Sequence, residues 1–67
     1  MKDQIKSDLK RHRYNFRHLA SEMGVDYSHL TLVLNGKRPM SYATAVTLRD
    51  ALNKLTTNTY HLTDFGY

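Results

Sequence analysis

The chain has no cysteine, no tryptophan and a single proline among its 67 residues. Without cysteine it can form neither disulfides nor thiolate metal sites, which fits a reducing compartment. No apolar run approaches the roughly 20 residues that cross a bilayer. Residues 1–9 alternate charged and apolar side chains and lack the apolar centre of a signal peptide. We therefore expect a soluble, cytoplasmic protein with no membrane partner.

Groups for catalysis or metal binding are also scarce. A chain of this length forms at most one domain, with a core too small for an elaborate catalytic cavity. The histidines are scattered and lack a tight ligand spacing: His12, His18, His29 and His61. Asp26, Ser28 and His29 are neighbours in sequence, but on one helical turn they point in different directions. The sequence predicts no enzyme, no catalytic residue, no metal, no cofactor and no small-molecule ligand.

Positive charge is concentrated in the middle of the chain. The net charge is +4, and the charges cancel within residues 1–9 and again within residues 39–67. The charged residues between positions 10 and 38 are Lys10, Arg11, Arg13, Arg17, Lys37 and Arg38, against Glu22 and Asp26. A basic patch confined to one segment is typical of a polyanion-binding surface, although an ordinary solvated surface is the alternative.

The spacing of apolar residues predicts two helices in the first third of the chain. The first runs from Lys2 to His12, with Ile5 and Leu9 on one face. The second runs from Phe16 to Met23, and its apolar residues at positions i, i+3, i+4 and i+7 form one buried stripe. Asn15 is a good cap for its start, and Gly24 can adopt the positive φ that ends a helix.

Two more helices follow. The third runs from Tyr27 to about Leu34, with Asp26 placed as its cap, and Asn35-Gly36 and then Pro39 end it. Ser41 caps a fourth helix that runs to about Asn53. Its core-facing positions are Ala45, Val46, Leu48, Ala51, Leu52 and Leu55. These patterns predict an all-α fold, a compact bundle of four to five helices.

Residues 1–55 form the predicted helical domain, and residues 56–67 form a C-terminal tail of mixed pattern. Threonines alternate with Tyr60 and Leu62 as in a strand, whereas Leu62 and Phe65 are one helical turn apart. We favour a short fifth helix packed on the domain, with a strand that pairs with a second subunit as the alternative. The aromatic residues Tyr60, Phe65 and Tyr67 either form a dimer contact or pack on the first or fourth helix.

The segments Leu19-Ala20, Met23-Gly24-Val25, Leu30, Val33-Leu34 and Asn35-Gly36-Lys37-Arg38-Pro39 carry a family resemblance. With them, the chain from Ile5 to Pro39 resembles the phage repressor and Cro-type helix-turn-helix family, also called the xenobiotic-response-element type. The resemblance covers about half of the chain, and the fourth helix extends it to two thirds. It implies a lambda-repressor-like DNA-binding domain that inserts its third helix into the major groove. The implied partners are a double-stranded DNA operator and a second copy of the chain, in a bacterial host cytoplasm.

The resemblance implies base contacts from the outer face of the third helix: Tyr27, Ser28, Thr31 and Leu32. Serine and threonine hydroxyls can bond base edges, and a threonine or leucine methyl can touch the thymine methyl. Tyr27 could bond a base or a phosphate through its hydroxyl. Many relatives carry a polar or basic residue in place of Leu32, so Leu32 is alternatively a partly buried packing residue. Asp26 has the cap as its main role and cytosine readout as a minor one.

Phosphate contacts are implied where helices begin and where the third helix ends, because a helix N-terminus offers free amides and a positive dipole. The residues are Asn15, Phe16 (through its amide), Arg17, Lys37, Arg38, Ser41 and Tyr42, with Arg11 and Arg13 as weaker candidates. Arg13 stands where relatives often have glycine, which costs backbone freedom but adds a charge.

The function predicted from the sequence is a DNA-binding transcriptional regulator, a phage or prophage Cro-type repressor that occupies an operator and excludes polymerase. One alternative is an architectural or recombination-directing factor that bends DNA. Another is a protein-interaction module, such as the DNA-binding half of an antitoxin or the target of an antirepressor.

Overall fold

The computed structural model describes residues 2–67, and every regular element in that range is helical. The helices are α1 (Lys2–Arg11), α2 (Phe16–Met23), α3 (Tyr27–Leu34) and α4 (Tyr42–Leu55), followed by a 3-10 helix at Leu62–Phe65. The radius of gyration is 10.6 Å, close to the roughly 11 Å of a compact domain of this length. The predicted all-α class is confirmed.

Each of the four α-helices contributes to one hydrophobic core, and α2 packs against both α3 and α4. The largest fully buried side chains are Ile5, Leu9, Leu19, Leu30, Leu48 and Leu52. Ile5 and Leu9 are four residues apart in α1, as are Leu48 and Leu52 in α4, which puts each pair on one face of its helix. Val46, predicted to face the core, is only half-buried.

Local sequence signals set both ends of α2. The Asn15 side chain accepts a hydrogen bond from the His18 amide at 3.0 Å. In return, the Asn15 amide donates to His18 Nδ1 at 3.3 Å, so histidine does here what glutamate does in most reciprocal caps. Gly24 ends the helix with φ 72°, and its amide bonds to the carbonyls of Ala20 and Ser21. Both caps agree with the sequence prediction.

The cap predicted for α3 is only half right. Asp26 occupies the capping position with an extended backbone, but its side chain makes no capping hydrogen bond. Its carbonyl still accepts from the Leu30 amide at 3.0 Å, so the backbone alone starts the helix. The carboxylate nevertheless lies at the positive end of the helix dipole, where a negative charge is favourable.

α1 ends one residue before the predicted His12. The His12 ring donates through Nδ1 to the Asp8 carbonyl at 2.8 Å, and Nε2 accepts from the Thr57 amide at 3.2 Å. Arg13 then adopts φ 64°, a left-handed conformation that cannot continue the helix.

At its other end, α4 continues two residues past the predicted Asn53, to Leu55. The buried Thr56 hydroxyl bonds to the Leu52 carbonyl at 2.8 Å just beyond it.

The tail completes the core. Tyr60 is 5% exposed and joins the core cluster, and the Phe65 ring stacks on it with a centroid separation of 6.2 Å. Asn53 holds the tail backbone, since its amide nitrogen donates to the Tyr60 carbonyl at 3.1 Å. The predicted fifth helix is present as a 3-10 turn, and residues 56–67 contain no strand. Of the two alternatives predicted for Tyr60, a dimer contact or packing on the domain, the structure therefore shows packing on the domain.

A buried hydrogen bond joins the tail to α1. The Tyr60 hydroxyl donates to the Asp8 carboxylate, and Asp8 is 5% exposed. This hydrogen bond is the main reason that the pKa of Asp8 is lowered, against the opposing effect of burial. The pKa of Tyr60 is raised, first by burial and then by its hydrogen bond to Asp8. Among residues 2–67, no helix has the length and apolar character needed to cross a membrane.

Candidate nucleic-acid interface

The four predicted base-contacting residues lie on the outer side of α3. At about 100° per residue, Tyr27, Ser28, Thr31 and Leu32 span an arc of about 140°. Tyr27, Ser28 and Leu32 are exposed and Thr31 is half-buried, whereas Leu30 and Val33 on the opposite side are buried. Leu32 is 36% exposed, so part of its side chain is free for an apolar contact.

The two hydroxyls on this face are not equivalent. Thr31 Oγ1 donates to the Ser28 carbonyl at 2.9 Å, the back-bonding common for threonine inside a helix. Its oxygen can still accept a hydrogen bond, and its methyl can meet a thymine methyl. Ser28 is exposed, and its hydroxyl can both donate and accept. Ser28 is therefore the more versatile of the two for base readout.

Tyr27 and Arg17 form one unit across α2 and α3. The Arg17 guanidinium carbon lies 4.5 Å from the centroid of the Tyr27 ring, the geometry of a cation–π contact. The sequence predicts that Tyr27 contacts a base, or a phosphate through its hydroxyl, and that Arg17 contacts a phosphate, but it does not predict the contact between them. No sequence signal indicates it, because the two residues are on different helices and meet only through the packing of α2 on α3.

The start of α2 offers two backbone donors. The first intrahelical bond runs from the Leu19 amide to the Asn15 carbonyl at 3.1 Å. The amides of Phe16 and Arg17 precede it and have no backbone partner among residues 2–67. The Phe16 side chain packs against the core, which leaves its amide as the group that can reach a ligand. The Asn15 oxygen is used by the cap, so only its NH₂ group is free to donate.

A basic groove lies beside this helix start. It has a volume of about 370 Å³ and is lined by Lys6, Leu9, Lys10, Tyr14, Asn15, Phe16, Arg17 and Tyr27. Three of these side chains are cationic, three are aromatic and none is acidic. Lys6 was missed because it lies in the segment whose charges cancel. The four-residue spacing of Lys6 and Lys10 along α1 is the signal that could have found it.

The other end of α3 carries the second basic pair. Gly36 has φ 75°, and the following amides of Lys37 and Arg38 both donate to the Leu32 carbonyl, at 2.9 and 3.3 Å. Both side chains are exposed. In residues 2–67 the ion pairs are Arg11–Asp8 at 3.9 Å, Arg49–Asp50 at 3.0 Å and Lys54–Glu22 at 2.6 Å. Lys37 and Arg38 are in none of them and remain available to a polyanion.

Glu22, one of the two acidic residues of the basic segment, is bound by a cation from α4. Lys54 Nζ lies 2.6 Å from its carboxylate. The hydrogen bond and charge of Glu22 raise the pKa of Lys54. Arg11 and Arg13, the weaker phosphate candidates, are exposed, and Arg11 is directed towards Asp8.

The start of α4 uses the predicted phosphate ligand Ser41 as its cap. The Ser41 hydroxyl accepts from the Thr44 amide at 3.1 Å and donates to Thr44 Oγ1 at 2.9 Å. A phosphate contact from this hydroxyl therefore requires it to turn away from Thr44. Tyr42 is 59% exposed and packs edge-on against Tyr67 of the tail, with ring centroids 5.6 Å apart.

Within residues 2–67, no three histidine, aspartate or glutamate side chains come together as metal ligands would. Comparison of the chain with protein-family models, with curated proteins and with solved structures gives no match. The resemblance to Cro-type repressors therefore stays a prediction from the residues of the sequence.

Proposed function

We propose that the chain is a sequence-specific regulator of transcription that binds double-stranded DNA, with α2 and α3 acting as a helix-turn-helix and α3 in the major groove. One observation supports this most strongly. The exposed face of α3 lies between two sets of cations: Lys6, Lys10 and Arg17 in the groove, and Lys37 and Arg38 just after the C-terminal end of α3. None of these five side chains is in an ion pair among residues 2–67.

Each part of this surface has its own task. Ser28 and Thr31 read base edges by hydrogen bonds, and Leu32 and the Thr31 methyl favour thymine. The amides of Phe16 and Arg17 hold one phosphate at the start of α2. Lys37 and Arg38 hold the backbone beyond α3. Phosphate contacts fix the register, and base contacts then select the sequence.

The size of the domain suits a pair of copies on one face of DNA. Successive major grooves are about 34 Å apart. The longest extent of the Cα trace is 27 Å, so the width of one copy with its side chains is comparable to this spacing. The exposed ends of Tyr42 and Tyr67 supply an aromatic surface for contact between them. A dimer bound in this way would occupy an operator and exclude polymerase.

Selection of bound sites from random double-stranded DNA tests the proposal, followed by fluorescence-anisotropy titration of the selected site at several salt concentrations. We expect a site with two-fold symmetry. Neutralising about six phosphates gives a slope near −5 for log K against log salt. No enriched site, or an affinity that does not change with salt, would contradict the proposal.

Two substitutions separate base readout from backbone binding. Ser28→Ala should weaken the selected site by roughly 1–3 kcal/mol and leave random DNA unaffected. Lys37→Gln should weaken both kinds of DNA and reduce the salt slope by about 0.9. Arg49→Gln on α4 is the control, because Arg49 is already paired with Asp50 and lies outside the basic surface. If Ser28→Ala lowers the affinity for the selected site and for random DNA equally, Ser28 contacts the DNA backbone and not a base.

A further inference from the structure

The contact between Arg17 and Tyr27 exists without DNA. Tyr27 is 40% exposed and sits in the first turn of α3, and its ring covers the guanidinium of an exposed arginine from α2. A solvated arginine has no reason to hold one conformation, because the entropy of its four rotatable bonds favours many. The ring therefore favours one position of the guanidinium, at the groove that both residues line.

That groove has the chemistry of a phosphodiester site. Lys6 and Lys10 from α1 face it beside Arg17, and no carboxylate lines it. A planar guanidinium that stacks by one face keeps its N–H groups free at the edge, where they can bond two phosphate oxygens. An ammonium group in the same place would lack both the stacking face and the fork of donors.

We propose that Tyr27 is a positioning residue: its ring, not its hydroxyl, acts in DNA binding by holding Arg17 over the groove, where Arg17, Lys6 and Lys10 bind one strand of the phosphodiester backbone. This inference rests on the proposed function. It changes the role predicted for Tyr27 from base readout to preorganisation, which lowers the entropic cost of binding. It also adds α1 to the helices that contact DNA.

The hydroxyl and the ring can be separated by two substitutions at one position. Tyr27→Phe keeps the stacking face, and we expect its affinity to stay within twofold of the wild type. Tyr27→Leu removes the face, and we expect a loss of about two- to fivefold on specific and random DNA alike, the range of an exposed cation–π contact. A loss in Tyr27→Phe equal to that in Tyr27→Leu would overturn the proposal, because the hydroxyl would then be the binding group.

A double-mutant cycle with Arg17→Gln tests whether Tyr27 acts through Arg17. Arg17→Gln alone should reduce the salt slope by about 0.9. Tyr27→Leu should then cause no further loss in the Arg17→Gln background. Independent losses that multiply in the double variant would show that Tyr27 contacts DNA directly, and would overturn the proposal.

Tyr14→Leu is the matched control. Tyr14 lines the same groove with 38% exposure, but its ring meets His18 edge-on at 5.6 Å and does not cover an arginine. It should show no coupling to Arg17→Gln in the same cycle. Coupling as large as that of Tyr27 would mean that the effect is general to the groove, against the proposal.

A readout without DNA separates this inference from the proposed function. The Tyr27 ring current should displace the NMR signals of the Arg17 side chain, and Tyr27→Leu should abolish the displacement while Tyr27→Phe retains it. If the displacement is present and the wild type binds no DNA, the proposed function fails and the role in DNA binding fails with it. If the wild type binds DNA and the displacement is absent, only the positioning role of Tyr27 fails.

Discussion

Removing the Tyr60 hydroxyl should destabilise the fold in a way that depends on pH. Asp8 and Tyr60 are each 5% exposed, and the hydroxyl of one donates to the carboxylate of the other. In Tyr60→Phe the carboxylate stays buried without its main partner. The Arg11 guanidinium lies 3.9 Å from the Asp8 carboxylate, but its side chain is exposed. Solvent therefore screens its attraction to the carboxylate, and this attraction does not replace the lost hydrogen bond.

The size of the effect follows from the charge on the acceptor. A hydrogen bond to a charged group contributes about 1.5–3 kcal/mol to the free energy of unfolding. When one partner is removed, the other stays buried without a hydrogen bond, and its desolvation is no longer offset. A domain of 67 residues is stable by roughly 3–10 kcal/mol. Each kcal/mol corresponds to about 4–8 °C in Tm for a domain of this size. Tyr60→Phe should therefore lower Tm by roughly 10 °C at neutral pH.

The pH dependence follows from the direction of the pKa shift. The pKa of Asp8 is lowered from its usual 3.8, chiefly by the Tyr60 hydrogen bond. A lowered pKa in the folded state gives stability that is present above about pH 4 and is lost as the pH falls through the folded value. In Tyr60→Phe the hydrogen bond that lowers the pKa of Asp8 is lost, whereas burial still raises this pKa. The stability gained above about pH 4 is therefore reduced or absent in the variant. The difference between wild type and variant should be largest at neutral pH and shrink below pH 4.

Urea unfolding followed by circular dichroism from pH 7 to pH 3 measures this difference. Tyr67→Phe is a matched control, because the Tyr67 hydroxyl also donates to an oxygen of the fold, the Met40 carbonyl, but in a solvent-exposed hydrogen bond to an uncharged acceptor. Its loss should be smaller and independent of pH. A Tyr60→Phe effect of the same size at every pH, or one no larger than that of Tyr67→Phe, would refute the reasoning.

Two further predictions concern helix ends. Arg13→Gly should stabilise the fold by up to about 1 kcal/mol, because the φ of 64° costs any L-residue energy that glycine avoids. Thermal unfolding measures it, and Arg13→Ala, which removes the charge but keeps the strain, should give no such gain. Asn15→Ala should destabilise by about 1 kcal/mol through loss of the α2 cap, whereas Asn15→Asp, which keeps an acceptor, should not. Equal Tm values for these two variants would show that the cap contributes no stability.

The elements that could be predicted from the sequence are those whose causes are local. The bounds of α2 depend on Asn15, on Gly24 and on an apolar stripe between them, all within ten consecutive residues. The same holds for the Ser41 cap and for the outward face of α3. Asp26 shows the limit of such signals, because a residue of the right type in the right position need not make the bond that its type allows.

Features that depend on distant contacts could not be predicted. Asp8 lies among charged residues of α1 and has the pattern of a surface residue, yet Tyr60, 52 positions later, brings it into the core. For the tail, the sequence favours the short helix that the structure contains but leaves a strand open; in the fold the Asn53 side chain holds the tail backbone and Tyr60 fills the core. Burial against the helices decides between the two conformations, and that burial exists only after folding.

The charge of the candidate interface shows the same limit for function. The sequence assigns the basic surface to residues 10–38, with Glu22 counted against it. In the fold, Lys54 neutralises Glu22 and Arg11 is directed towards Asp8. Lys6, from a segment of zero net charge, joins Lys10 and Arg17 in the groove. The field that a phosphodiester meets depends on which charges remain unpaired on one face. For that reason a count along the sequence can indicate a polyanion partner but cannot name the residues that bind it.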